Sequence, residues 1–167
     1  MHKIKEDEKM QADDIYEEKI FLKGTTGVLA VFTAGFLFAL VYQIFPALNW
    51  FFLLMFLLFL GVTINFNRLV IRMTPRSIAV GYGIFKRTII WENIEGCYLD
   101  EASTIKYGGW GIRIGRVKGK WILVYNVIRC PRIVLSLREG RFREFVFSTK
   151  SPEQVIKVVK QQIGGIK

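Results

Sequence analysis

From Gly24 to Asn67 the chain runs for 44 residues without one Asp, Glu, Lys or Arg. A helix that crosses a bilayer needs about 20 predominantly apolar residues, so this run is long enough for two crossings. Its middle, Phe45-Pro46-Ala47-Leu48-Asn49, holds proline and asparagine, both turn formers. The pattern predicts a transmembrane hairpin within residues 24–67, with helices over about 25–45 and 50–66. A hairpin buried in a soluble protein would keep a polar stripe, and Trp50 to Val62, WFFLLMFLLFLGV, is apolar on every face. A cleaved signal peptide fits poorly. The first 23 residues carry seven acids, the apolar run is too long, and no small-residue cleavage pattern follows it.

Orientation follows from the flanking cations. Lys19 and Lys23 precede the run, Arg68, Arg72 and Arg76 follow it, and the central turn is uncharged. Positive flanks stay in the cytoplasm, which predicts a two-helix, multi-pass cell-membrane protein with both termini cytoplasmic. Tyr42 and Trp50 are placed for the far interface, where amphipathic rings collect. The two flanks differ in charge. Residues 1–23 hold five Lys and seven Asp/Glu, net −2, whereas residues 68–167 hold nineteen Lys/Arg and seven Asp/Glu, net +12. Each cation near an anionic leaflet contributes about 1 kcal/mol, so three well-aimed side chains bias a contact by about 3 kcal/mol. The acidic segment 1–23 reads as a solvated tail, with folding back onto the basic domain as the alternative.

Residues 68–167 read as mainly β. Short β-branched and aromatic runs recur about every ten residues, separated by Gly, Pro or charged clusters. The strand candidates are Leu69–Met73 leading into Ser77–Tyr82, then Phe85–Trp91, Ile94–Leu99, Gly111–Arg116, Trp121–Val127, Ile133–Leu137 and Phe142–Phe147. Tyr82-Gly83 and Glu139-Gly140 are expected turns. A helix then starts with Ser151 as N-cap, Pro152 at its first position and Glu153 in its first turn. Val155, Ile156, Val159 and Ile163 mark its apolar face, and Gly164-Gly165 ends it.

The run TPRSIAVGYGIFKRTIIWENIEGCYLD, Thr74 to Asp100, the segment YGGWGIR from Tyr107, and the Phe147-Ser148-Thr149…Pro152 ending resemble bacterial and archaeal membrane proteins with a pleckstrin-homology-like (PH-like) domain. The resemblance spans about residues 25–163 and includes the helix pair ahead of the domain. It implies an α+β membrane protein: a transmembrane hairpin followed by a seven-stranded PH-like barrel or sandwich capped by a C-terminal helix. It implies a fold and a location rather than a mechanism.

The chemistry is sparse. His2 is the one histidine, and Cys97 and Cys130 stand 33 positions apart with no CxxC, so neither a zinc site nor a redox pair is expected. Ser103, Thr104, Ser136 and Ser148 have no histidine in the domain to serve as base, and no catalysis or cofactor is expected. The glycine-rich stretch YGGWGIRIGRVKGK, Tyr107 to Lys120, lacks the Ser/Thr and the following helix of a nucleotide-binding P-loop. It reads as strand turns that also present Arg113, Arg116, Lys118 and Lys120, with Trp110 at an interface, and Lys86 and Arg87 add a second basic pair. These seven residues are the candidate lipid- or partner-binding set. No nucleic-acid motif accompanies the basic charge, so nucleic acid is not an expected partner. The reading is a non-catalytic module that contacts anionic membrane lipid or an unidentified protein partner, self-association included. The alternative is a non-catalytic subunit of a membrane transport or secretion assembly, its helices packed through Gly27, Ala30, Thr33, Ala34, Gly35 and Ala39.

Overall fold

The computed structural model describes residues 14–44, 46–100, 111–117 and 119–165. In chain order they form β1 (Tyr16–Phe21), α1 (Lys23–Val41), a 3-10 turn (Pro46–Leu48), α2 (Asn49–Asn65), β2 (Arg68–Met73), β3 (Ser77–Tyr82) and β4 (Phe85–Ile90). A second 3-10 turn (Trp91–Asn93) leads into β5 (Ile94–Leu99), β6 (Gly111–Val117), β7 (Lys120–Asn126), β8 (Arg132–Leu137), β9 (Glu144–Ser148) and α3 (Pro152–Gly164). The chain divides into two compact units. One is Phe21–Leu69 with Tyr82–Phe85; the other comprises the described parts of Met1–Ile20, Val70–Gly81 and Lys86–Lys167.

In the first unit, α1 and α2 are long and apolar enough to cross a membrane. α1 ends earlier than its composition suggests, because Gln43 takes a left-handed φ of +47° ahead of Pro46. The two helices meet through aromatic rings: Phe36 lies 5.2 Å from Phe59 and 6.3 Å from Phe52, and Phe32 lies 5.6 Å from Phe59. The Thr33 and Thr63 hydroxyls approach to 3.4 Å across the seam, and each donates to its own helix, to Leu29 O and Phe59 O. Their protons are thereby satisfied without water. Gly27 and Gly35 have open space where a Cβ would stand, so this seam is not a close small-residue contact. Elsewhere the helices present apolar surface outward, with Val31 71%, Leu57 54% and Ile64 70% exposed.

At the base of the helices, Leu22 N–H donates to Asn67 O at 3.0 Å, joining the residues that flank the pair. Asn65, the last residue of α2, accepts the Ile84 N–H on its Oδ1 at 2.8 Å. Gly83 makes this approach possible. Its φ is +46°, and a Cβ there would lie 2.1 Å from Asn65 Oδ1. The Phe66 ring lies 5.3 Å from Tyr82 and 6.0 Å from Phe85.

The strands make a four-stranded sheet, β1-β2-β3-β4, and a five-stranded sheet, β5-β8-β9-β7-β6. A seven-stranded barrel or sandwich is expected from the sequence; the sheets do not close into a barrel, and they hold nine strands among the described residues. Two features account for the difference. The acidic N-terminal segment contributes β1, and β9 enters between β8 and β7, antiparallel to the first and parallel to the second. A central strand is covered on both faces, so consecutive rather than alternate residues are apolar. Ile122 to Tyr125, Ile133 to Leu135 and Phe145 to Phe147 are accordingly all buried.

β1 shows why an acidic stretch can fold. Ile20 is buried while Glu17, Lys19 and Phe21 point outward, a period of two. Ile15 N–H donates to Met73 O at 2.8 Å. Arg72, expected from the sequence as a membrane-flanking cation, lies 3.1 Å from the Asp14 carboxylate and 3.7 Å from Glu17. The Lys19 ammonium, and after it Arg72, holds the Glu17 carboxyl below its ordinary range. Glu18 reaches the start of α3: it accepts the Thr149 hydroxyl, the Lys150 N–H at 2.7 Å and the Tyr16 phenol at 2.9 Å. Burial, and then Glu18, pushes the Tyr16 phenol up to about 12. Hydrogen bonds to a charged group contribute about 1.5–3 kcal/mol each. Glu18→Ala should therefore destabilise the sheet unit by at least about 2 kcal/mol, with Glu18→Gln closer to wild type, as measured by the thermal unfolding midpoint.

α3 packs Val155 and Val159, both fully buried, against β5, β8 and the Trp91–Asn93 turn. Ser151 occupies the N-cap without a side-chain capping bond; its N–H is instead taken by the Thr149 hydroxyl at 3.1 Å. Cys97 lies in this core as a free thiol, pushed by burial up to about 12, so its alkylation reports unfolding. Cys130, also free, is half-buried.

Candidate functional site

The basic residues of YGGWGIRIGRVKGK lie on a hairpin, and its strand geometry sorts them. β6 and β7 pair in unbroken register, with Arg113 opposite Val124, Arg116 opposite Trp121 and Val117 opposite Lys120. Directly opposed residues share a face and successive residues alternate. Arg113 and Lys120 therefore lie on one face of the sheet and Arg116 on the other. Along the shared face, Arg113 and Lys120 are four pairing positions apart, roughly 13 Å. The structure thus separates residues that the sequence presents as one cluster. Gly119 turns the hairpin with φ +82°. Trp110 and Lys118 lie outside the described residues. Lys86 and Arg87 are exposed on β4, in the other sheet. Arg87 lies near enough to Tyr125 to oppose the rise that burial imposes on that phenol.

Around Arg116 a different cluster forms. Its guanidinium lies 5.9 Å from the centre of the Trp121 ring, and its Nε–H donates to Gly119 O at 3.2 Å. Arg141, from the β8–β9 loop, lies 5.4 Å from the same ring and 5.7 Å from that of Phe142. Two guanidinium groups thus flank one indole that is 39% exposed. A cation over an exposed indole is stabilised by about 0.5–1 kcal/mol, which positions each arginine without burying its charge.

The loop that carries Arg141 is tied down at several points. Asn93 accepts the Glu139 N–H on its Oδ1 at 2.8 Å and donates to Glu139 O at 3.3 Å. Arg138 N–H donates to Asn93 O, Arg143 N–H to Trp121 O, and Leu137 N–H to Arg143 O. The Arg143 guanidinium closes the loop on Arg138 O. Gly140, with φ +108°, supplies the bend that an L side chain resists.

Beside this loop lies an open cleft of about 270 Å³ lined by Glu95, Lys120, Ser136, Leu137, Arg138, Arg143 and Glu144. Two carboxylates partly offset three cations there, so the cleft is polar with a small positive excess. Burial, and then the Glu144 carboxylate, raises the neighbouring Tyr98 phenol. The Trp121 cluster, by contrast, sets two cations about its ring. Among the described residues, no group of three or more His, Cys, Asp or Glu comes together as a metal site would require.

Trp121, Arg138, Arg141 and Arg143 are absent from the set derived by sequence reasoning. Arg141 is twenty positions from Trp121, and only the parallel β7–β9 register, Ile122 opposite Glu144, brings the loop to that ring. No short motif carries this signal. Comparisons of the chain with family models, with characterised proteins and with solved structures return no match.

Proposed function

We propose that this chain is an integral membrane protein whose α1–α2 hairpin anchors a non-catalytic, cytoplasmic PH-like module, and that this module binds anionic lipid headgroups. Several features support the anchoring. The helices are apolar and, away from their aromatic seam, largely exposed, which suits lipid rather than water. β1 precedes the helix pair and β2 follows it, yet the two are neighbours in one sheet. Strands that pair lie on the same side of a bilayer, and the lysines and arginines beside them favour the cytoplasmic side. The two sheets followed by a packed terminal helix are compatible with a PH-like architecture, which the Thr74–Asp100 resemblance suggests.

The observation that carries the headgroup reading is the pair Arg116 and Arg141 about Trp121. The two guanidinium groups stand 5.9 and 5.4 Å from the centre of the same ring, and guanidinium N–H groups are strong donors to phosphate oxygens. The half-exposed indole is an amphipathic group of the kind that settles at headgroup level. Each cation near an anionic surface contributes about 1 kcal/mol, so removing both should weaken retention of anionic lipid by roughly thirtyfold. The test is native mass spectrometry of the full chain, released from micelles doped with phosphatidylglycerol or phosphatidylcholine. Wild type should retain phosphatidylglycerol preferentially, and Arg116→Gln/Arg141→Gln should lose most of that preference. Equal retention by the double variant would remove the site.

One observation favours the second reading, a subunit of a membrane assembly. Gly27, Ala30, Ala34 and Gly35 are exposed and stand outside the aromatic seam, so they remain free for another helix. Loss of oligomers on enlarging Ala30 and Ala34, with lipid retention unchanged, would favour it.

A further inference from the structure

The turn between β3 and β4 presents its largest apolar side chains to the outside. Ile84 is 84% exposed and Phe85 50% exposed, at a hairpin tip where polar residues usually stand. The tip is fixed to the last residue of α2: Ile84 N–H donates to Asn65 Oδ1, and Gly83 allows the contact by having no Cβ. Phe66, the residue after α2, lies between Tyr82 and Phe85, so rings from both sides of the turn pack on the helix end. Asn65 stands three positions before Arg68, the first charge after the uncharged run. The tip therefore lies at the depth where that run ends. Lys86 and Arg87 follow at once and are exposed. Strand residues advance about 3.3 Å each, so these two charges stand within about 10 Å of Ile84 along β4.

We propose that Gly83-Ile84-Phe85 is a membrane-inserted tip, with Ile84 and Phe85 in the headgroup–acyl boundary and Lys86 and Arg87 on the lipid phosphates. The occupant of this apolar surface is the bilayer itself, because the tip is bonded to the end of α2, a helix whose exposed surface is apolar. This inference rests on the reading that α1 and α2 span a membrane. It assigns Lys86 and Arg87 a contact separate from the Trp121 cluster, and it accounts for an isoleucine kept in the open. The tip also restrains the β3–β4 hairpin at the bilayer, whatever the state of the Arg116–Arg141 site.

The test uses the full chain in vesicles of phosphatidylcholine and phosphatidylglycerol, with Cys97→Ala and Cys130→Ala as background. Single nitroxide labels are placed by Ile84→Cys, Leu57→Cys and Lys157→Cys, and each label's collisions with oxygen and with a water-soluble nickel chelate are measured by electron paramagnetic resonance. All three sites are exposed, so labelling leaves the fold intact. The expected result is a label at 57 that meets oxygen and not nickel, a label at 157 that meets nickel, and a label at 84 with nickel collisions several-fold below those at 157. A label at 84 as accessible to nickel as that at 157, with 57 still shielded, overturns the tip and leaves the span intact. Nickel access at 57 overturns the span, and the tip with it.

Discussion

Arg132→Ala should lower the thermal midpoint of the sheet unit by at least about 10 °C, from a loss of about 3–5 kcal/mol at about 4–8 °C per kcal/mol in a domain of this size. The Arg132 Nε–H donates to Asp100 Oδ2 at 2.9 Å, and the two side chains are only 6% and 7% exposed. Their backbones are joined as well, Asp100 N–H to Arg132 O at 2.9 Å. Truncating the arginine takes its charge away from a buried carboxylate, and the cost is mainly that desolvated charge rather than the worth of the pair. Replacing both together, as in Asp100→Asn/Arg132→Met, should recover most of the loss, because two neutral groups can share the space. The midpoint is read from the alkylation of Cys97, which is shielded until the unit opens. A single variant within about 2 °C of wild type would mean that water reaches the pair.

Trp91→Ala should cost as much, about 3–5 kcal/mol, by removing the largest fully buried side chain among the described residues. Trp91 is 1% exposed, and its indole N–H donates to Thr74 O at 3.0 Å. Its backbone N–H reaches Arg76 O at 3.3 Å, so one residue joins the turn before β3 to the turn before β5. Trp91→Phe separates packing from polarity. It keeps most of the apolar volume, leaves the Thr74 carbonyl without this donor, and should cost about 1–3 kcal/mol. Near-UV circular dichroism and the Cys97 midpoint give the two readouts. Equal losses in both variants would assign the effect to the hydrogen bond rather than to the volume.

What could be read from the sequence was local. The uncharged run, the turn at Gly83 and the helix beginning at Pro152 follow from the chemistry of neighbouring residues, and so do most strands from Ser77 onward. β1 was hidden because Glu17, Glu18 and Lys19 dominate its composition; only the alternation that buries Ile20 betrays it. Its carboxylates are tolerable in a strand because Arg72, Thr149 and Lys150 meet them from elsewhere in the chain. The Trp121 cluster was illegible for the same reason. Arg116 and Arg141 become neighbours through a strand register that no local rule sets, whereas the tempting run of Arg113, Arg116 and Lys120 is split between faces by simple alternation. Charge that is dense in sequence need not be dense in space.

The position of β9 also sets a clock. Ribosomes extend a chain by about 5–20 residues each second, and neighbouring strands normally pair as they appear. Here β5 has no partner until β8 is made, and the β5–β8 pair cannot join the β6–β7 hairpin until β9 slides between them. The five-stranded sheet therefore waits for its final strand, while α1 and α2 were translated some eighty residues earlier. During that interval the unpaired edges of β7 and β8 lie open, and chains halted before Glu144 hold a β6–β7 hairpin and a separate β5–β8 pair. A nascent chain of this protein is thus a membrane-anchored, half-assembled sheet, which is when edge-binding chaperones and proteases have their opportunity.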